Sequence, residues 1–342
     1  MINEQNKELI LRIALTNAIK YNGKANLGSV IGKIFSLNHQ LKDEQKIFEL
    51  TKDIVNQVNN LKYEEQIAKL DLLGKVTETK TEERKFPLID ELKGPQIVRF
   101  APNPNGPLSL GHSRAALSNW HYAQSTKGKF ILRFDDTDPL IKPPLKEAYS
   151  WIRKDLEWFG IKIYKEAKAS SRLRLYYKYA EKLLSLNKAY VCTCDKETKR
   201  NLILKKLACP CRDLDINSNK QRWLRMLSKN GYKEGQAVLR IKTDLYHNNP
   251  AIRDWVAFKI VDKGKHPLKK AKVWPLLNFA SAIDDHELKI TLIVRGTDLQ
   301  ESDQRQKYIY DYFGWKYPRT IYHGKLYVSG IKRTSQTAKK IK

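Results

Sequence analysis

The first part of the chain shows apolar residues at helical spacing. Between Leu9 and Ala14 they fall on one helical face, and Asn22-Gly23 interrupts the pattern. A second amphipathic run covers residues 47–58. Residues 75–95 are charged, contain two prolines and lack an apolar period, which is typical of a linker. We therefore predict an N-terminal helical extension and linker over residues 1–94.

The pattern changes at residue 95 to short apolar strands that alternate with amphipathic helices. QIVRFA and KFILRFDD read as strands, and RAALSNWHYAQSTKG reads as the helix between them. The next helix is predicted to place one face in the core, formed by Ala148, Trp151, Ile152, Leu156 and Phe159. This alternation predicts an α/β fold with a parallel sheet.

The same alternation of strand and helix returns in the last part of the chain, where ITLIVRG is predicted to be a buried strand and SDQRQKYIYDYFGW a helix. We predict that the sheet domain is split by an insertion. Its first half covers residues 95–190, the insertion covers 191–272, and the second half covers 273–342.

Charge changes the picture next. The chain has 64 Lys and Arg against 37 Asp and Glu, a formal net charge of +27. Such an excess favours a polyanionic partner, most simply nucleic acid, and the alternative is that the lysines serve solubility. A hydrophobic content of 41% excludes wholesale disorder. No apolar run approaches the roughly 18 residues of a membrane span, and the N-terminus does not resemble a signal peptide. We expect a cytoplasmic protein that does not contact a membrane.

The loop between the first predicted strand and helix carries candidate chemistry. Backbone N–H groups of such a loop and the following helix N-terminus suit a phosphate. Gly106 and Gly111 lack a Cβ and allow close approach, and His112 stands where an imidazole would face a triphosphate. The alternative is an ordinary surface loop with a capping histidine.

The four cysteines lie close together in sequence. They form a CxC-x14-CxC pattern that suits a structural zinc ion with four thiolate ligands: Cys192, Cys194, Cys209 and Cys211. The alternative is four reduced cysteines kept as small apolar residues.

The full loop string, RFAPNPNGPLSLGHSRAAL, resembles the signature loop of class I aminoacyl-tRNA synthetases. The resemblance is to the glutamyl/glutaminyl branch, and most of all to archaeal-type glutamyl-tRNA synthetases. It continues through LRFDDTDP, RDWVAF and WPLLNFASAIDDHELKITLIVRGTD. It implies a Rossmann-like nucleotide-binding sheet split by an insertion that contacts the acceptor end. It also implies the reaction, in which glutamate attacks the α-phosphate of Mg²⁺-bound ATP and the glutamyl group then passes to the 3′ end of tRNA(Glu).

The resemblance also implies roles for individual residues. Those expected at ATP are Pro102, Asn103, Pro104, Gly106, Ser109, Gly111 and His112, of which the last three are the expected catalytic residues. Those expected at glutamate are Arg99, Ala101, Asp135, Leu277, Ser281 and Arg295. Arg99 is expected to bind the acidic side chain and Asp135 the ammonium group. Arg295 would add a second cation that favours glutamate over glutamine, because a neutral amide would leave that charge poorly paired.

The chain departs from the family pattern at several points. Ser109 replaces the first signature histidine, and losing such a donor typically costs about 10²–10³ in rate. Leu277 stands where relatives carry an aromatic residue. The second signature is poorly matched, and its expected ATP contacts are Ser335, Thr337 and Lys339. A frayed basic tail is the alternative reading of that stretch.

The last residue, Lys342, follows that stretch directly. Family members continue into domains that read the anticodon, so we expect no anticodon-binding domain here. The chain would then be half of a split enzyme with a separately encoded partner, a truncated product, or a paralogue.

Lysine-rich stretches with Trp or Tyr fit the tRNA acceptor arm. Two other functions stay open: glutamyl transfer to another acceptor, and non-catalytic tRNA binding by a degenerate protein.

Overall fold

The computed structural model describes residues 4–37, 45–74 and 89–324. Contacts divide the chain into two compact units, Met1–Lys85 and Phe86–Lys342. None of the helices in the described ranges has both the length and the apolar character that crossing a bilayer requires.

The first unit is helical, as its apolar periodicity predicts. Its helices are α1 (Glu4–Lys20), α2 (Leu27–Leu37), α3 (Gln45–Asn59) and α4 (Tyr63–Leu73). Helix α1 packs against the other three and contributes Ile10, Ala14 and Ala18 to their shared core. Gly23 has a φ of +88°, and its N–H donates to the carbonyl of Ala18 at 2.8 Å, which closes the turn after α1.

The second unit alternates strands and helices. In chain order these are β1 (Ile97–Phe100), α5 (Leu110–Ser125), β2 (Lys129–Phe134), α6 (Ala148–Trp158), β3 (Lys165–Lys168), α7 (Leu173–Ser185), β4 (Ala189–Cys192), α8 (Lys196–Leu204), α9 (Ile216–Leu227), β5 (Val238–Ile241), β6 (Val256–Ile260), β7 (Val273–Pro275), α10 (Leu277–Glu287), β8 (Leu292–Gly296), α11 (Gln300–Phe313) and β9 (Arg319–His323). Short 3₁₀ helices lie at Ile89–Glu91, Ala169–Arg172, Pro210–Asp213 and Thr297–Leu299.

Strands β1, β2 and β3 pair in parallel, and so do β8 and β9. Strand β8 lies beside β1, because the N–H of Thr291 donates to the carbonyl of Ile97 at 2.9 Å where the two strands begin. Strand β1 therefore lies between β2, which follows it through α5, and β8, which comes much later in the chain. This is the switch point of a Rossmann-like sheet, where ligands bind at the carboxyl ends of the strands. The predicted α/β fold is confirmed.

A four-stranded antiparallel sheet, ordered β4-β5-β6-β7, interrupts the parallel one. It runs from Ala189 to Pro275, a few residues beyond each end of the predicted insertion. Trp223, Phe258 and Trp274 fill its core, where the rings of Trp223 and Phe258 meet edge to face at 5.2 Å. The insertion boundaries themselves stay a prediction.

Helix α6 differs from its predicted face at one position. Ala148, Ile152 and Leu156 are fully buried, but Trp151 is 40% exposed. Tyr149 is buried instead, because its hydroxyl donates to Asp136 at 2.6 Å. The hydrogen bond, which apolar periodicity does not register, decides which aromatic residue faces inward.

Helix α10 carries two adjacent acidic residues into the interior. Asp284 accepts from the Nε atoms of Arg133 and Arg172, at 2.5 and 2.6 Å, and from the hydroxyl of Tyr176 at 2.6 Å. Asp284 and Arg133 are both fully buried. Their opposite charges compensate each other where water cannot.

Asp284→Ala leaves the Arg133 charge buried without its main partner. We expect this to lower the free energy of unfolding by about 3–5 kcal/mol, measured by urea denaturation. Glu91→Ala is the matched control, because its ion pair with Arg319 is half exposed (55% and 45%). The control should cost less than about 1 kcal/mol. Equal losses in the two variants would contradict this account of Asp284.

Candidate active site

A cavity of about 330 Å³ opens at the carboxyl ends of β1 and β8, and we call it the arginine cavity. Of the residues predicted for ATP and glutamate, it is lined by Arg99, Ala101, Pro102, Asn103, His112, Leu277, Ser281 and Arg295. Residues from the strand end, the signature loop, α5 and α10 thus meet at the switch point, where a parallel sheet places its ligands.

A second cavity, of about 710 Å³, adjoins the first and shares Asn103, Leu277 and Ser302 with it. It contains Asp135 and is bordered by residues of the antiparallel sheet, among them Arg240. Asp135, predicted for glutamate, therefore lies on the side of the site that faces the insertion.

Arg99 is held by Asp285. Its Nε and Nη2 atoms donate to the two carboxylate oxygens at 3.0 and 3.1 Å, and both side chains are buried. Such a bidentate pair fixes the plane of the guanidinium group. Arg99 therefore enters the cavity in one orientation.

Arg295 is paired as well. Its Nη1 lies 2.7 Å from Asp303, and its Nη2 donates to Gln306 at 3.3 Å and lies 3.9 Å from Asp285. Burial is the main cause that lowers the pKa of Arg295, and the nearby charge of Arg99 adds to it. The two arginines are thus close enough to repel, and the aspartates between and beside them offset that repulsion.

Ser109 immediately precedes α5, and His112 lies in the first turn of that helix. The backbone N–H of Ser109 donates to Nδ1 of His112 at 3.1 Å. Because Nδ1 accepts, the neutral ring carries its proton on Nε2. The pKa of His112 is lowered, first by partial desolvation of the ring and then by the charge of Lys142, although the residue as a whole is exposed. The ring is therefore a neutral donor at the cavity.

The signature loop is tied to the segment after β2. The carbonyl of Pro102 accepts from the N–H of Asp135 at 2.9 Å, and that of Pro104 accepts from Leu145 at 2.8 Å. Among the described residues, a Cβ on Gly111 would meet only the Ser109 hydroxyl, at 3.7 Å, and one on Gly106 would meet nothing within 4 Å. Packing against this part of the chain therefore does not explain why these two positions are glycine, and the space beside them is available to a ligand.

The two neighbouring acids after β2 differ in environment. Burial raises the pKa of Asp135, and its ion pair with Arg133 at 3.0 Å opposes that rise. Burial would also raise the pKa of Asp136, but donors from His266, Tyr149 and Ser170 outweigh it, and the pKa is lowered. Asp136 is thus a structural anion, while Asp135 remains at the second cavity.

The four cysteines converge in space. Their sulfur atoms all lie within 4.8 Å of one another, and three of the pairs are 3.4, 3.5 and 3.8 Å apart. These distances are too long for disulfides, whose S–S bond is about 2.05 Å. They match the roughly 3.8 Å edge of a tetrahedron with metal–sulfur bonds of about 2.3 Å. Arg222 donates to the sulfur of Cys211 at 3.3 Å. This cluster has the geometry to hold a metal ion.

Sequence reasoning missed the acidic and amide partners of the site: Asp285, Asp303, Gln306 and Asn119. Asn119 donates from Nδ2 to the carbonyls of Ala115 and Val294, at 2.8 and 3.1 Å, and so joins α5 to β8. One signal was present, since two adjacent aspartates in a largely apolar helix must be paired once buried. Ser335, Thr337 and Lys339 lie outside the described residues, so their predicted role stays a prediction.

A family model described as tRNA synthetases class I (E and Q), catalytic domain, matches residues 97–339. This match covers most of the chain, and the chain therefore belongs to that family. The switch-point cavity and the signature loop at its rim both lie inside the matched range.

Two curated archaeal relatives bear the name glutamate–tRNA ligase. The protein of Thermococcus kodakarensis is 48% identical over 337 residues, which are 96% of this chain and 59% of the relative. The protein of Pyrococcus furiosus is 49% identical over 335 residues, covering 95% and 58%. The chain thus spans about three fifths of the length of these relatives. A crystal structure of a glutamate tRNA ligase from Elizabethkingia meningosepticum in complex with its amino acid shares the fold, with a TM-score of 0.54, 22% identity, and coverage of 72% of this chain and 53% of that one.

The tautomer and pKa of His112 predict its titration. We expect a midpoint below the ordinary 6.5, measured by NMR on the imidazole carbons. The Lys142→Gln variant should raise the midpoint toward 6.5, because it removes the neighbouring positive charge. A midpoint at or above 6.5 in the unmodified chain would contradict this description of the ring.

Proposed function

We propose that the chain activates glutamate with ATP and transfers the glutamyl group to the 3′ end of tRNA(Glu), as a glutamate–tRNA ligase. The name of its relatives at 48–49% identity supports the choice of substrate. The observation that carries the proposal is the pair of buried arginines, Arg99 and Arg295, that line one cavity at the switch point. Guanidinium groups at that depth suit a carboxylate ligand.

The residues divide between the substrates in this proposal. Arg99 and Arg295 serve the side-chain carboxylate of glutamate, and Asp135 serves its ammonium group. Ala101, Leu277 and Ser281 shape the space around it. The ATP side comprises Pro102, Asn103, Pro104, Gly106, Ser109, Gly111 and His112, to which Ser335, Thr337 and Lys339 would add phosphate contacts.

Two displacements complete the reaction. An oxygen of the glutamate α-carboxylate attacks the α-phosphorus, the bond to the β-phosphate bridge breaks, and pyrophosphate leaves. A terminal ribose hydroxyl of tRNA then attacks the activated carbonyl, loses its proton, and releases AMP. His112 donates from Nε2 to the phosphates, and its neutrality means that it supplies a hydrogen bond rather than a charge. Positioning and charge neutralisation do the remainder of the work in such phosphoryl chemistry.

Two metal ions enter the proposal. Mg²⁺ accompanies ATP and neutralises phosphate charge. Zinc would be held by Cys192, Cys194, Cys209 and Cys211, whose four soft donors and tetrahedral spacing suit it better than a hard cation. Four protein ligands leave no open position, so this zinc would be structural and would stabilise the insertion.

The macromolecular partner in this proposal is the acceptor arm of tRNA(Glu), in keeping with the charge of +27. A separately encoded anticodon-binding half is kept as a second proposed partner. The proposed location is the cytoplasm, where the tRNA and ATP are found.

Glutamate-dependent exchange of pyrophosphate into ATP, in the presence of tRNA(Glu), tests the activity. Ser109→His adds an imidazole donor beside the phosphates and should raise kcat, by up to about 10²-fold. Ser109→Ala is the control, since it alters the same helix end without adding a donor and should give no gain. The absence of glutamate-dependent exchange at any tRNA concentration would contradict the activity, and would favour transfer to another acceptor or a non-catalytic RNA-binding role.

Metal analysis tests the zinc site separately. We expect about one zinc per chain by mass spectrometry of the purified protein. Cys209→Ser removes one buried ligand and should lose the metal and lower the melting temperature. Ser113→Ala, far from the cluster in sequence, is the control and should retain the metal. A protein free of zinc and indifferent to a chelator would contradict the site.

A further inference from the structure

Arg99 and Arg295 differ in how many of their terminal nitrogens are bound to protein groups. Arg99 uses Nε and Nη2 for Asp285, and no hydrogen bond joins its Nη1 to another residue in the described ranges. Arg99 also lines the arginine cavity. Its remaining nitrogen is therefore the one left for a ligand.

The partners of Arg295 are distributed differently. Asp303 and Gln306 engage its two terminal nitrogens, at 2.7 and 3.3 Å. Its Nε is buried and has no hydrogen-bond partner within residues 4–37, 45–74 and 89–324. Arg99 therefore keeps one terminal nitrogen with no partner in those ranges, whereas both terminal nitrogens of Arg295 are already engaged.

We propose that Asp285 is a positioning residue, which fixes the Arg99 guanidinium so that its Nη1 meets the side-chain carboxylate of the substrate. This inference rests on the proposed function. Asp285 lies in the buried part of α10, where residues 278–285 are all buried. Its carboxylate is therefore held in place, and this fixes the position of the Arg99 guanidinium. Asp285 also lies 3.9 Å from Arg295, and one carboxylate therefore keeps two like charges together in the interior.

Asp285→Asn tests the proposal, because it keeps the shape but removes the charge. Isothermal titration calorimetry with glutamate, and separately with ATP, gives the two affinities. We expect the Kd for glutamate to rise about 10- to 100-fold, the usual worth of a hydrogen bond to a charged group. The Kd for ATP should change less than about twofold, because the phosphates do not depend on Arg99.

Asp254→Asn is the matched control. Asp254 is fully buried and paired with Arg212 at 3.1 Å, but it lies in the insertion. It should lower the melting temperature as Asp285→Asn does, and leave the affinity for glutamate unchanged. This separates a loss of position from a loss of stability.

Three results would overturn the proposal. One is an unchanged affinity for glutamate in Asp285→Asn, and another is an equal loss for glutamate and ATP, which would indicate a merely structural role. The third is an unmodified chain that binds no glutamate. That result contradicts the proposed function itself, and Asp285 would then have no substrate-binding arginine to position. If Asp285→Asn fails to fold, Asp285→Glu decides, since it keeps the charge but displaces the guanidinium, and an unchanged glutamate affinity in that variant overturns the proposal.

Discussion

The second unit depends on two adjacent aspartates in one buried helix. Asp284 compensates Arg133 and Arg172, and Asp285 compensates Arg99 and lies near Arg295. Three of these arginines come from the strands β1, β2 and β8, so a single turn of α10 joins the strands on both sides of the switch point. Burying the arginines is favourable only while these acids are present. The same two aspartates therefore hold the strands of the site together and compensate its buried positive charges.

That arrangement changes the physical argument about substrate choice. From the sequence, Arg295 favours glutamate because glutamine would leave its charge unpaired. In the structure Arg295 is already paired with Asp303, and two cations face two anions around the cavity. Discrimination in the proposed reaction then has to come from hydrogen-bond direction. Both oxygens of a glutamate carboxylate accept hydrogen bonds, from Nη1 of Arg99 and from a second donor, whereas glutamine has one accepting amide oxygen and an amide nitrogen that can only donate.

Sequence patterning predicted the regular parts of the fold well. Helix α3 and strands β1, β2 and β8 appear where apolar spacing placed them. Patterning was wrong for Trp151, because a hydrogen bond from Tyr149 to Asp136 decides which ring turns inward. The signature-loop motif predicted that Arg99 and His112 lie at the site, because residues of such a motif lie at fixed offsets from the end of a strand. It did not include Asp303, whose role depends on the ion pair that joins α11 to Arg295 of β8.

The cysteine cluster has a practical consequence. The chain contains four cysteines in all, and the structure gathers every one of them within 4.8 Å. A thiol-reactive dye therefore has a single site of reaction on this molecule, and a metal bound there would shield the sulfurs. The rate of labelling would then report on the integrity of this cluster, and the chain carries its own local reporter of unfolding without any engineered label.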